Sequence, residues 1–410
     1  MFRAPIIQSL LDLDFYKLTM AQIAWKYYSA TPVKYSFKNR TQGVNLGDAI
    51  KEDHLRGELE HVSGLRFKDE ELQYLENLKF GDKPIFDKRF LRYLKHLKLE
   101  GVAVQKNSEG YSIDVTGSWP KTILWETLIL SIVNELYYRN QLRDAMDIEE
   151  AEEEGLYRLR QKILTLEKNP DIAITDFGTR RRFSHEWQEF VLEHLKLILP
   201  RQLTGTSNVF FAKKFGIKPI GTFAHEMYMI FSGIYSRSDE EIRASHNKVL
   251  ECWFREYGEA LSIALTDTYG TDFFFKDFTK DQAEKWRGLR HDSGDPIAFG
   301  EKAITFYQSH SIDPKRKLIV FSDGLDIETI VKLHNHFKGR IQTGFGWGTN
   351  LTNDLGFKPL SLVVKAVEAD GHGLVKLSDN IAKAVGKPED IKRFKKIFDY
   401  TNILNESCKY

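Results

Sequence analysis

From about residue 171 onward, short strand-like runs alternate with helical stretches, and every run ends in a polar or glycine-bearing cluster. The runs at 172–175, 218–222 and 261–266 lead into Asp176-Phe-Gly-Thr-Arg180, Gly221-Thr-Phe-Ala-His225 and Asp267-Thr-Tyr-Gly-Thr-Asp272. Those at 287–290, 317–321 and 340–343 lead into His291-Asp-Ser-Gly-Asp295, Ser322-Asp-Gly324 and Gly344-Phe-Gly-Trp-Gly-Thr349. Strand, helix and strand at this spacing mean parallel β/α architecture. In a β/α barrel the C-terminal strand ends share one face, which explains why all six clusters are polar. An open doubly wound sheet concentrates its ligand groups at one switch point and fits less well. The expected fold is therefore α/β, an irregular α/β barrel with an N-terminal α+β domain.

The α+β part rests on strand-like runs at 33–37, 97–104 and 111–115 mixed with charged helical stretches such as 69–78. A chain of 410 residues with 42% hydrophobic and 13% aromatic content can fill one large core and a smaller one. The expected division is an N-terminal domain at 1–120, joined by the C-terminal segment 360–410, and a catalytic barrel at 121–359. The longest apolar stretch, 123–133 within the helically spaced 121–143, is interrupted by Glu126, Thr127 and Ser131. It falls short of the roughly 20 residues needed to span a bilayer, so a buried helix is expected. The acidic run 147–154 reads as a solvated helix face. A hairpin is expected over 360–379, turning at Gly371-His-Gly373.

Lys and Arg total 59 against 58 Asp and Glu, so no net field gathers a polyanion, and nucleic acid is a poor partner. Phosphate groups must be bound by local clusters. Two cysteines, Cys252 and Cys408, are too few for a disulfide framework, and Asp12 and Asp14 break the N-terminal apolar run before a signal-like core forms. A reducing, cytoplasmic setting without membrane attachment is expected.

The clusters carry distinct chemistry. Arg180 opens a triplet of arginines at a strand end, where a guanidinium fork suits phosphate or carboxylate. Arg181 and Arg182 point elsewhere and can pair with local acids. Phe177 can pack in a core or stack on a flat ring. The glycines of 344–348 can wrap a phosphate with bare backbone N–H groups, and barrels often hold a phosphate after their last strands. Asp292 and Asp323 place short carboxylates at adjacent strand ends, fit for ribose hydroxyls or the waters of a magnesium ion. Asp295, before Pro296, is expected to cap a helix. Asp267 and Asp272 are further carboxylates of the same kind. His225, directly after a strand and beside Glu226, can serve as base or nucleophile.

Seven strings in order resemble the nicotinate phosphoribosyltransferase family. They are Asp12-Leu-Asp14-Phe-Tyr16-Lys17, Asp176-Phe-Gly-Thr-Arg-Arg-Arg-Phe-Ser184, Gly205-Thr-Ser-Asn208, Gly221-Thr-Phe-Ala-His225-Glu226, Ala264-Leu-Thr-Asp267-Thr, Leu289-Arg-His-Asp-Ser-Gly-Asp-Pro296 and Lys376-Leu-Ser-Asp379. The likeness runs from about residue 6 to 400 and implies a type II phosphoribosyltransferase fold assembled as a homodimer with shared active sites. It implies nicotinate, phosphoribosyl pyrophosphate and ATP as substrates, and a nicotinate mononucleotide product used in NAD biosynthesis. Magnesium would be held mainly by the substrate phosphates, with no direct protein ligands.

The same likeness implies residue roles. His225 would be phosphorylated by ATP, and it, Arg290 and Asp292 would carry the chemistry. Phe177 and the partner subunit's Tyr16 would sandwich the pyridine ring, with Arg180 and Arg290 on its anionic groups. Thr206, Ser207, Asp267, Asp323 and Thr349 would bind substrate, and Gly346 and Gly348 the 5′-phosphate. Nicotinamide-specific relatives carry aspartate where this chain has Ser207. A serine there removes a repulsion and can donate to a carboxylate, which favours the acid over the amide. A quinolinate enzyme would need a second basic pocket and no nucleophilic histidine. A barrel lyase would need a Schiff-base lysine, which none of the six clusters offers convincingly.

Overall fold

The computed structural model describes residues 4–142 and 145–406, so Arg143 and Cys408 lie outside the described residues. It is mixed α/β, with a parallel six-stranded sheet and a separate sheet built on the N-terminal strands. The chain divides into two compact units, one of residues 1–30, 34–220 and 347–365, the other of 31–33, 221–346 and 366–410.

In the first unit, strands Val102–Asn107 and Gly110–Ser118 pair antiparallel from Val102↔Val115 to Asn107↔Gly110, beside strand Pro32–Asn39. Tyr35 and Phe37 of that last strand point inward, the period-two burial of a half-covered sheet. The strand expected at 97–104 starts later, because helix Lys88–His96 ends with Leu97 as its cap. The unit also runs past residue 120: helix Trp125–Gln141 packs on helix Glu52–Gly64 and on the turn Thr179–Arg181, and is buried nearly throughout. Its interruptions at Glu126, Thr127 and Ser131 survive burial because each finds a polar partner inside.

The first unit carries two parallel strands, Ile174–Asp176 and Leu203–Thr206, paired Ile174↔Leu203 and Asp176↔Thr206. The second of these escaped expectation because Leu-Thr-Gly-Thr has no apolar run. The run at 218–222 forms only a bridge, Thr206↔Pro219, since proline gives the ladder no N–H.

In the second unit, strands Ile263–Leu265, Gly288–His291, Leu318–Phe321 and Gln342–Trp347 lie side by side and parallel. The neighbours are in register, with Leu265↔Arg290 and Phe321↔His291 as partners. At Gly288 a Cβ would stand 1.9 Å from the Leu318 carbonyl oxygen, so only glycine fits there. Asp295 caps helix Pro296–Ser309 as expected, accepting from the amides of Ile297 and Ala298 at 2.8 and 3.1 Å. Strand Leu362–Ala369 turns back through Asp370 and Gly371, whose φ angles of 52° and 79° are those a tight hairpin demands, onto His372–Gly373. The hairpin is shorter than expected: the amides of Leu377 and Ser378 instead meet the carbonyl of Thr268. No helix among the described residues is long and apolar enough to cross a membrane.

Candidate active site

Each unit buries a cluster of the residues singled out above. In the first unit, Phe177 and Arg180 follow strand Ile174–Asp176, while Thr206 ends its neighbour and Ser207 follows it. Asp176 organises both loops: it accepts from Thr206 Oγ1 at 2.6 Å, Gln188 Nε2 at 2.8 Å and the Gly178 amide at 2.8 Å. Burial raises the Asp176 pKa against those hydrogen bonds. Arg180 reaches Asp14 with Nε at 3.1 Å and Glu126 with Nη1 at 3.6 Å, and its guanidinium lies 5.6 Å over the Tyr16 ring. Glu126 also pairs with Lys17 at 2.6 Å and Lys365 at 3.7 Å. Burial alone would raise Glu126, but Lys17, Lys365 and Arg180 hold its carboxyl down to about 2.

Tyr16 is thus brought to Arg180 within its own chain, with no partner subunit needed for that contact. Phe177 is half-buried and stacks on no other aromatic ring among the described residues. The Ser207 hydroxyl donates to Asp14 Oδ1 at 2.6 Å, so its one proton is engaged with a neighbouring carboxyl group. Burial, the largest influence, raises the Asp14 pKa despite Arg180 and Ser207. Arg182 is a structural residue: fully buried, it grips Asp12 with two hydrogen bonds of 2.7 and 2.8 Å. Gly348 lies against Phe177, where a Cβ would come within 3.4 Å of the Phe177 carbonyl oxygen, and Thr349 begins a four-residue helix.

In the second unit, His225 is the first residue of helix His225–Ile234 and is 4% exposed. Nδ1 meets the Thr268 hydroxyl at 2.9 Å, and Nε2 meets Asp292 Oδ2 at 2.9 Å and lies 3.8 Å from Asp267 Oδ1. Burial and the nearby Lys376 ammonium hold the imidazole pKa down to about 4, against the pull of Asp267 and Asp292. The ring's place at a helix N-terminus acts the same way. A neutral ring facing an ionised carboxylate puts its proton on Nε2, which leaves the lone pair on Nδ1, where Thr268 donates.

Asp292 stays ionised: burial would raise it, but the hydrogen bond from His225 and the charges of Arg290 and Lys376 hold it well below the carboxylate range. Its other oxygen accepts from Ser322 Oγ at 3.1 Å. Asp267 Oδ2 accepts from Ser293 and Ser378, while Oδ1 has no hydrogen-bond partner among the described residues. Asp323 pairs with Lys383, whose Nζ also donates to the Asp292 carbonyl at 3.0 Å. Arg290 Nε is buried without an acceptor among the described residues, which leaves it a donor to spare. Gly346 is buried in the last strand of this unit. Asp272 is not part of the cluster, since it sits on the exposed surface with Lys302.

Sequence reasoning missed Thr268, Ser293, Lys376 and Lys383. Lys376 and Ser378 lie in a string quoted for its family likeness, but no strand end announces them. Asp14, Lys17 and Glu126 were visible only as motif letters or helix interruptions.

Comparison with known proteins is consistent across the chain. Residues 11–134 match the nicotinate phosphoribosyltransferase N-terminal domain model, and residues 172–402 match the model of the nicotinate phosphoribosyltransferase family. A solved nicotinate phosphoribosyltransferase from Vibrio cholerae is 35% identical, with a TM-score of 0.88 over 98% of this chain and 95% of that one. One from Porphyromonas gingivalis is 33% identical, with a TM-score of 0.86 over 96% of this chain and 100% of that one.

Proposed function

The chain belongs to the nicotinate phosphoribosyltransferase family, and from that premise we propose that it makes nicotinate mononucleotide and pyrophosphate from nicotinate and 5-phosphoribosyl 1-pyrophosphate, driven by ATP through phosphorylation of His225. The ATP-linked part is supported by one observation above all: a buried neutral imidazole whose Nε2 proton is fixed on Asp292 at 2.9 Å. That arrangement makes Nδ1 the nucleophile once the Thr268 hydroxyl turns aside.

In the proposed step Nδ1 attacks the γ-phosphorus of ATP. The N–P bond forms as the bond to the β,γ-bridging oxygen breaks, and ADP departs with the electron pair. Positive charge gained by the ring is met by Asp292 and, at 3.8 Å, Asp267. Water later cleaves the N–P bond, returning phosphate and a neutral ring. Each tenfold displacement of the transfer equilibrium needs about 1.4 kcal/mol, so one ATP can displace it by several orders of magnitude.

In the transfer itself, the nicotinate nitrogen bonds to the anomeric carbon as the bond to the pyrophosphate oxygen breaks and its electrons leave with pyrophosphate. The protein aligns the partners and matches the cationic ribose. Phe177 offers a flat face for the pyridine ring, which Tyr16 of the partner subunit would cover on the other side, Thr206 and Ser207 border it, and the Arg180 fork meets its carboxylate. Arg290, Asp292 and Asp323 serve the ribose and its diphosphate, with Gly346, Gly348 and Thr349 toward the 5′-phosphate. Asp267, one oxygen of which has no hydrogen-bond partner among the described residues, and Asp292 are hard oxygen donors that suit magnesium or its waters. When bound, magnesium would screen the phosphate charges. A homodimer belongs to the same proposal.

The test is turnover with nicotinate, nicotinamide and quinolinate separately, each with phosphoribosyl pyrophosphate and magnesium, with and without ATP. Nicotinate alone should react well, and faster with ATP. Preference for either other pyridine, or indifference to ATP, would overturn the reading.

A further inference from the structure

We propose that Ser378 is a positioning residue for His225, holding from a single loop both Thr268, which meets Nδ1, and Asp267, the second carboxylate beside Nε2. The proposal rests on the reading of His225 as the phosphoryl acceptor.

Ser378 is fully buried and has φ of 65°, a left-handed backbone that a serine adopts only when its surroundings impose it. Three kinds of bond impose it here. The amides of Leu377 and Ser378 donate to the Thr268 carbonyl at 2.8 and 3.3 Å, which fixes the residue whose hydroxyl meets His225 Nδ1. The Ser378 hydroxyl lies 3.1 Å from Asp267 Oδ2 and 2.9 Å from Ser293 Oγ. Ser293 in turn donates to the same Oδ2 at 2.5 Å and accepts from the Asp379 amide at 3.0 Å. From outside, the Tyr400 hydroxyl donates to the Ser378 carbonyl at 2.6 Å. Gly270, at φ of 99°, permits that approach, since a Cβ there would stand 3.1 Å from the Tyr400 ring.

Both serine hydroxyls thus converge on Oδ2 of Asp267. That orientation leaves Oδ1 turned to the imidazole, 3.8 Å from Nε2 and without another partner among the described residues. A carboxylate held at one oxygen cannot rotate to take the Nε2 proton from Asp292 or to swing away when the ring becomes charged. The physical role of Ser378 is to keep Asp267 as a fixed counter-charge rather than a competing acceptor.

The test measures the rate at which γ-labelled ATP transfers its phosphoryl group to the protein. Ser378→Gly suits the left-handed backbone, so the fold is kept while the hydroxyl goes. Its labelling rate at saturating ATP should fall about tenfold, the loss expected for a hydrogen bond to a charged group, with the KM for ATP within about twofold of wild type. In an Asp267→Asn background the same substitution should add nothing, whereas a merely structural role would lower both backgrounds alike. Tyr400→Phe, which keeps every polar group beside Asp267, should slow labelling by a smaller factor. A wild-type labelling rate in Ser378→Gly, or an equal loss in both backgrounds, overturns the positioning role while the reading of His225 stands. Absence of label in the wild-type protein overturns that reading instead.

Discussion

The two units bury charge in opposite ways. In the first, three cations, Lys17, Arg180 and Lys365, share two carboxylates, Asp14 and Glu126. That crowding of cations suits the anionic ligand of the proposed reaction. In the second, Asp267, Asp292 and Asp323 are balanced by Lys376, Lys383 and Arg290 around an imidazole kept neutral. Cations shared among carboxylates suit binding a charge that arrives with the ligand. A balanced frame around a neutral group suits a step that creates charge and must stabilise it on the spot. The neighbouring arginines make the same point on a smaller scale: Arg182 is sealed against Asp12, while Arg180 keeps partial exposure beside Tyr16.

This contrast can be broken most directly at His225. His225→Asn should abolish protein labelling by γ-labelled ATP and all ATP stimulation, yet leave slow transfer and the KM for nicotinate unchanged; surviving label would remove the assignment. Asp292→Asn should come next, cutting the labelling rate roughly a hundredfold, because the amide no longer fixes the proton on Nε2. A smaller and differently placed effect is expected for Arg180→Lys. The KM for nicotinate should rise roughly tenfold as the planar fork is lost, with labelling untouched. Slower labelling in that variant would erase the division of labour between the clusters.

The mildest effect is on stability. His225 is held at about 4 in the fold against 6.5 for an ordinary histidine, so the unfolded chain takes up a proton first as pH falls. The neutral buried ring therefore costs stability progressively between about pH 6.5 and 4. Asp379, raised to about 6 by burial and by Asp267, acts in the opposite sense, gaining a proton in the fold first. The contribution of His225 is isolated by comparing thermal midpoints of wild type and His225→Asn from pH 7 to 4.5. The gap between them should shift toward the variant as acid is added.

The sequence made the parallel strands legible because each apolar run stops at a polar cluster, and strand 288–291 with its Asp292 is a clear case. It also singled out His225, Arg180, Asp292 and Asp323 by position. Strand 203–206 stayed hidden because threonine and glycine carry no apolar alternation, and its pairing comes from tertiary contact. The partners of the singled-out residues were equally hidden. Thr268 and Ser378 are ordinary polar residues until the chain returns more than a hundred positions later to set one against the other. Ser207 shows the limit from the other side, since its chemistry depends on Asp14, 193 residues away.

The pairing Leu265↔Arg290 has one more implication. Asp267 and Asp292 each stand two residues beyond that pair, so the backbone ladder sets the start of both carboxylate-bearing turns while Ser293 and Ser378 set how Asp267 is turned. Protein engineers could therefore vary the outer helices widely and keep the reacting geometry. A single residue inserted or deleted between 263 and 267, or between 288 and 292, would throw one carboxylate to the opposite side of the sheet and leave the imidazole with a lone escort.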